Sequence, residues 1–173
     1  MIVLRSKDEI KQISQAGSIL AATLEKLGKC AKPGIQTKEL DAIAREEIIK
    51  RNGYPAFKDY KGFPGNICVS LNETVVHGIP SDRKLRDGDI VSMDVGVRFR
   101  DYCADAAITV GIGRMSEQAA KLIEVTRRAL YIGIENACPG SHLTDMSHAI
   151  QQFVEARGYF LATLSVCLLY PYF

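Results

Sequence analysis

Asp94 and Asp105 are the residues of this sequence whose types and spacing most directly suggest chemistry. They stand in residues 89–113, DIVSMDVGVRFRDYCADAAITVGIG, which read as two apolar strands joined by a polar turn around Phe99, Arg100 and Asp101. A tight turn centred on Phe99–Arg100 places Asp94 directly opposite Asp105 on one face of a hairpin, with Cβ atoms roughly 4.5–5.5 Å apart. Two bare carboxylates so placed repel, and burying them adds to the cost. A shared proton, an Arg or Lys, or a metal ion answers such a charge. Two hard oxygen donors suit a divalent cation, or two cations about 3.5–4 Å apart. The bland reading of the same spacing is one exposed Asp, or a bulge that separates the two. The hairpin geometry supports both readings equally.

His77 lies in Val75-Val76-His77-Gly78-Ile79-Pro80, where Gly and Pro shape a loop able to present one ring nitrogen to a cavity. An isolated His is more often a satisfied core residue, but Gly78 and Pro80 favour a functional loop. Tyr54, Phe57, Tyr60, Phe63 and Cys68 form an aromatic and thiol cluster that could line an apolar pocket. Spacing alone favours simple packing of that loop on a sheet. Cys103 reads as a small buried thiol, His142 and His148 as solvated, and Arg83, Lys84 and Arg86 as a solvated turn. Gly111-x-Gly113 lacks the rest of a nucleotide-binding fingerprint.

Helices must position these groups. Ser6 and Glu9 form a capping box, followed by apolar or small residues at Ile10, Ile13, Gly17, Leu20, Leu24 and Leu27, and Lys32-Pro33-Gly34 stops the run. Thr37 is the expected cap of a second helix carrying Leu40, Ile43, Ala44 and Ile48, with Gly53 supplying the left-handed residue after it. Residues 54–80 contain two strand-like runs, 66–70 and 74–76. Ser116 opens a third helix with Leu122, Ile123, Thr126, Leu130 and Ile134 on its inner face, and Thr144 caps a fourth with Ile150, Phe153 and Val154. The helix–Pro-Gly–helix–Gly-Tyr pattern thus occurs twice, at Pro33-Gly34 and again at Pro139-Gly140. It implies an α+β unit used twice.

With 173 residues, 47% hydrophobic and 24% charged, the chain is long enough for one domain with a core. A net charge of +2 gives no electrostatic case for nucleic acid or membrane as the main partner. Five scattered cysteines form no C-x-x-C pair, which fits a reducing compartment and neither a disulfide framework nor a zinc knuckle. No run of ~18 apolar residues is present.

Together, Tyr60-x-Gly62-Phe63-Pro64-x-x-Ile67-Cys68-x-Ser70-x-Asn72-Glu73, Val75-Val76-His77-Gly78-Ile79-Pro80, Gly88-Asp89-Ile90-Val91-x-x-Asp94, and Ala104-Asp105 followed by Thr109-Val110-Gly111 form a specific set. On these motifs the sequence resembles the bacterial-type type I methionine aminopeptidases, from Met1 to about Tyr159. The resemblance implies the α+β pita-bread fold, with a pseudo-twofold repeat, and removal of N-terminal methionine from nascent proteins. It implies two divalent metals (Co, Mn, Fe or Zn), with Asp94 and Asp105 as two of five ligands. It makes His77 the residue that contacts the substrate peptide bond, and Tyr60, Phe63 and Cys68 part of the wall that receives the methionine side chain. A monovalent cation near Asn72 and Thr74 is a further implication. Nascent polypeptide N-termini are the implied partner, with the ribosome surface a second; the implied location is the cytoplasm and the implied state a monomer.

The departures lie late in the sequence. The family's third ligand is a His in a Gly-His-Gly-Ile-Gly segment, where this sequence reads Phe160-Leu161-Ala162-Thr163-Leu164-Ser165. The two glutamate ligands come later still. The expected organisation is one peptidase-like domain, 1–173, with a complete first half 1–113, a second half 114–159 of helices only, and an atypical tail 160–173. The alternative function is a catalytically inactive fragment, or a non-catalytic binding protein on the same fold. The uncharged tail suggests truncation or a frameshift after Tyr159. Reading the coding DNA beyond that codon in all three frames tests this: a Gly-His-Gly-Ile-Gly-like continuation is expected in one frame, and its absence from all three contradicts it.

Overall fold

Val91, Met93, Val95 and Val97 alternate with Ser92, Asp94, Gly96 and Arg98, a period-2 pattern that makes a strand with one buried face. In the computed structural model, which describes residues 4–161, this segment is the central strand of an antiparallel sheet. Helix α1 (Lys7–Cys30) and helix α2 (Thr37–Lys50) precede the sheet strands β1 (Tyr54–Pro55), β2 (Cys68–Leu71), β3 (Ile90–Phe99) and β4 (Tyr102–Gly111). Helices α3 (Glu117–Asn136) and α4 (Leu143–Glu155) follow. The chain divides into two compact units, Met1–Met115 and Ser116–Phe173.

In the first unit, β4 pairs along one edge of β3, and β1 and β2 share the other edge. Val91, Met93, Val95 and Val97 of β3 are fully buried in one core with Leu20, Leu24 and Leu27 of α1 and Leu40, Ala44 and Ile48 of α2, and Phe99 packs against it partly buried. Ala104, Ala106, Ile108 and Val110 of β4 pack on the same core. The even residues of β3 therefore face away from the helices, Asp94 among them. The expected capping box of α1 is present: Glu9 N–H donates to Ser6 Oγ at 3.3 Å, and Ser6 N–H to Glu9 Oε2 at 2.7 Å.

Several local expectations change. Gln36, not Thr37, caps α2, with its N–H on the Glu39 carboxylate at 2.7 Å. The Thr37 hydroxyl is drawn into the core and accepts from Ser81 N–H at 2.8 Å, tying α2 to a distant loop. Asn52, φ 61, rather than Gly53 takes the left-handed position after α2. His142, not Thr144, caps α4, because the Asp145 carboxylate accepts its N–H at 2.8 Å. Residues 74–76 form no strand, and β2 begins at Cys68 rather than at residue 66. Arg83 does not sit on a free turn: its guanidinium pairs with buried Asp89 at 3.2 Å.

The second unit, among the described residues, holds two helices and no strand. Its backbone repeats that of α1–α2 at an offset of 106. Gly34 and Gly140 adopt φ 93 and 92, and Asn52 and Gly158 adopt φ 61 and 77. Gly53 N–H bonds to the Ile48 carbonyl as Tyr159 N–H bonds to that of Val154. The expected inner face of α3 is displaced by one residue. Val125, Ala129 and Gly133 are buried, whereas Leu122, Leu130 and Ile134 are 43%, 58% and 57% exposed. The small stripe wins because it lets the helices approach closely: a methyl group at Gly133 would come within 2.8 Å of Ile150 Cδ1. Most of the atypical tail, residues 162–173, lies outside the described residues.

These environments set a contrast in stability. Met93→Ala, at a fully buried site, is expected to cost about 2–5 kcal/mol in urea unfolding. Leu130→Ser, on the exposed stripe, is expected to stay within about 0.5 kcal/mol. Equal effects would contradict this assignment of faces.

Candidate metal centre

The turn between β3 and β4 is made by Arg100 and Asp101, flanked by the pair Phe99↔Tyr102. It lies one residue further along than the sequence pattern suggests. Asp94 is consequently opposite Ala107, and Asp105 opposite Gly96. The two carboxylates are not a direct cross-strand pair. They are diagonal neighbours, offset by two residues, on the same face of the sheet. The face survives the correction because a shift of two positions preserves the alternation.

Asp94 has a second neighbour on its other side: Cys68 of β2 stands opposite it. Cys68 is buried, and burial pushes its thiol up to about 12, with the charges of Asp94, Asp105 and Asp41 adding to the effect. At neutral pH the thiol is therefore protonated and uncharged. Burial raises Asp94 to about 6, helped by the charge of Asp105. Partial desolvation also raises Asp105, although its side chain is exposed. Phe57 adds to this environment. Its ring lies over Gly96, the residue opposite Asp105, in space that any Cβ at 96 would fill.

No Lys, Arg or His forms an ion pair with Asp94 or Asp105 among the described residues. The charge of Asp105 thus acts on Asp94 with no ion-pair partner to offset it among the described residues, and the two carboxylates present hard oxygen donors of the kind a divalent cation takes. No cluster of three His, Cys, Asp or Glu in metal-binding geometry occurs among the described residues.

The remaining site candidates lie on the segments around β2. His77 is exposed, with φ 57, on a segment that runs beside β2. Tyr60 sits in a single 3-10 turn, 40% exposed, with the Lys61 ammonium 5.5 Å from its ring centre. Phe63 is half-buried and packs near Gly65. Asn72 adopts φ 49 and clamps two strands: its side chain accepts from Ile90 N–H at 2.9 Å and donates to Asp89 at 3.0 Å. Thr74 N–H donates to the Leu71 carbonyl at 2.9 Å.

Asp41 escapes a reading of the sequence. From α2 its carboxylate accepts from Asn66 N–H at 2.6 Å, Asn66 Nδ2 at 2.5 Å and Ile67 N–H at 3.0 Å. It fixes the approach to Cys68. Its 25-residue separation from Asn66 leaves no local signal. Gly96, by contrast, is legible as a glycine inside a strand pattern, which marks close approach of another group.

The sequence profile of metallopeptidase family M24 matches residues 11–167. A methionine aminopeptidase of Clostridium acetobutylicum is 50% identical over 160 residues, covering 92% of this chain and 64% of the relative. Methionine aminopeptidase 1 of Bacillus subtilis is 49% identical over 155 residues, covering 90% and 62%. This chain therefore spans less than two thirds of the length of these curated relatives. The crystal structure of a methionine aminopeptidase from Thermotoga maritima superposes with a TM-score of 0.89 at 38% identity, over 91% of this chain and 64% of that one. A prolidase from Pyrococcus furiosus gives 0.77 at 20% identity, over 91% and 45%, a likeness of fold alone. The fold is the pita-bread α+β fold.

The raised Asp94 has a consequence for stability in the presence of a chelator. Its folded pKa exceeds the ordinary 3.8, so the folded chain binds more protons than the unfolded chain between these values. The contribution is present below about 3.8 and lost as pH rises through about 6. Unfolding free energy is expected to fall between about pH 4 and 6, and Asp94→Asn to flatten that fall. An equal slope in both proteins would contradict the assignment.

Proposed function

Since this chain belongs to metallopeptidase family M24, we propose that its Asp94–Asp105 face is one side of a metallo-aminopeptidase centre that removes N-terminal methionine. The observation that carries this reading is the pair of carboxylates on one sheet face, without an ion-pair partner among the described residues, with Asp94 raised by burial and by the charge of Asp105, and Asp105 raised by burial. The identity to relatives named methionine aminopeptidases supports the substrate.

Asp94 and Asp105 would hold divalent metal, two ions in the family, drawn from Co, Mn, Fe or Zn. Bound there, the metal supplies Lewis-acid activation of water and of the scissile carbonyl. His77 donates to the peptide oxygen and steadies its developing charge. Cys68, neutral at its raised pKa, accepts the methionine thioether together with Phe63 and Tyr60, as a soft apolar wall does. Asn72 and Thr74 would place backbone carbonyls for a monovalent cation. The partner is the N-terminus of a nascent polypeptide, met in the cytoplasm and at the ribosome surface, by a monomer. No described helix is long and apolar enough to cross a membrane.

A non-catalytic reading is favoured by one observation, the absence of a third ligand among the described residues. Methionine release from a Met-Ala-Ser peptide distinguishes the two. With Mn²⁺ or Co²⁺ supplied, the 173-residue chain is expected to release methionine, and Asp94→Ala is expected to lower the rate by at least 100-fold, a loss of roughly 2.7 kcal/mol. No release above the Asp94→Ala control would contradict the catalytic reading.

A further inference from the structure

His77 holds a left-handed backbone conformation, φ 57, which a non-glycine residue keeps only when its surroundings impose it. The surroundings are concentrated at its neighbour. Gly78 N–H donates to the Ser70 hydroxyl at 3.1 Å, and the Gly78 carbonyl accepts from Val69 N–H at 2.9 Å. Both Val69 and Ser70 are buried residues of β2. Gly78 lies so close to this strand that a Cβ would collide with the Val69 carbonyl oxygen. The contact thus requires glycine for space rather than for dihedral freedom.

Ser70 is also in register with the carboxylate face. It pairs with Ser92 of β3, two residues from the pair Cys68↔Asp94, and alternation puts Cys68 and Ser70 on the same side. Ser92 in turn shares a 2.8 Å hydroxyl contact with Thr109 of β4. A single short strand therefore touches Asp94 through one residue and the His77 loop through the next residue on that face. Asp41 anchors the strand at its start and Asn72 at its end.

We propose that Ser70 is a positioning residue: its hydroxyl latches Gly78 and so sets the pose of His77 relative to Asp94. This rests on the role given to His77 above. The latch itself is a structural property, and it can be read without catalysis. Ser70 is suited to the task because a buried hydroxyl accepts one backbone donor without adding charge beside two carboxylates. Alanine there leaves Gly78 N–H without its acceptor.

The test is amide hydrogen exchange and imidazole NMR on the isotope-labelled 173-residue chain. In Ser70→Ala, exchange at Gly78 is expected to accelerate about five- to tenfold, the scale of one net hydrogen bond. The His77 ring resonances are expected to move toward free-histidine positions, while the amides of Met93 and Val95 keep their protection. Ser70→Thr, which retains the hydroxyl, is expected to restore both signals. Unchanged Gly78 exchange and His77 resonances in Ser70→Ala, with β3 still protected, would overturn the proposal. If Ser70→Ala loses β3 protection, Ser70→Cys is read instead, since a thiol of similar size accepts poorly. It should loosen Gly78 and His77 while β3 holds, and loss of β3 protection in both variants would assign the hydroxyl to the sheet and sink the latch. Absence of methionine release leaves these signals readable and bears on the catalytic reading alone.

Discussion

The pairing register of β3 and β4 is the constraint on which the rest of this structure depends. It is set at the Arg100–Asp101 turn, where Arg100 adopts φ 54. Ten consecutive pairs follow from that turn. They decide that Asp94, Asp105 and the Ser92–Thr109 hydroxyls share one face, and that Val91, Met93, Val95 and Val97 share the other. A slip of one residue would turn one strand over relative to the other, driving its carboxylate into the core beside Leu27 and Leu40 and its apolar side chains outward. The helices therefore enforce the site from behind, because the burial of four apolar side chains outweighs any gain from a different turn.

The carboxylate face is costly to keep, which links fold and function. Asp94 is raised to about 6 by burial and by its neighbour's charge, and a metal-free protein bears that cost at neutral pH. Around it the chain spends polar contacts on position. Asp41, Asn72 and Ser70 hold β2 and its flanking loops from three sides. Gly96 yields its side-chain space to Phe57, and Gly78 yields its own to β2.

Local devices were legible in the sequence. The Ser6–Glu9 box, the stop after Cys30, the Ser116 cap and the doubled helix pair all follow from residues within a few positions of one another. The assignment of Asp94 and Asp105 to one face was legible too, through period-2 alternation. Their diagonal offset was misread, because Phe99 was taken into the turn, whereas this aromatic residue ends β3 opposite Tyr102 and the polar pair Arg100–Asp101 makes the turn. Asp41 was missed, and Thr37 and Arg83 were misjudged, for a common reason. Their partners, Asn66, Ser81 and Asp89, are brought to them by the tertiary structure or by a loop whose path no pattern encodes. On α3 the larger apolar residues drew attention, whereas the buried stripe is Val125, Ala129 and Gly133, and Gly133 lies against Ile150 and Met146 of α4.

The central claim is that this register assembles a cation-binding face from Asp94 and Asp105. Paramagnetic broadening by substoichiometric Mn²⁺ in the NMR spectrum of the chain tests it directly. The account predicts that amides of Cys68, Asp94, Gly96, Asp105 and Ala107 broaden together, since the pairing makes them neighbours, and that Asp94→Asn with Asp105→Asn abolishes the effect. Broadening confined to other acidic positions, or persisting in the double variant, would contradict it.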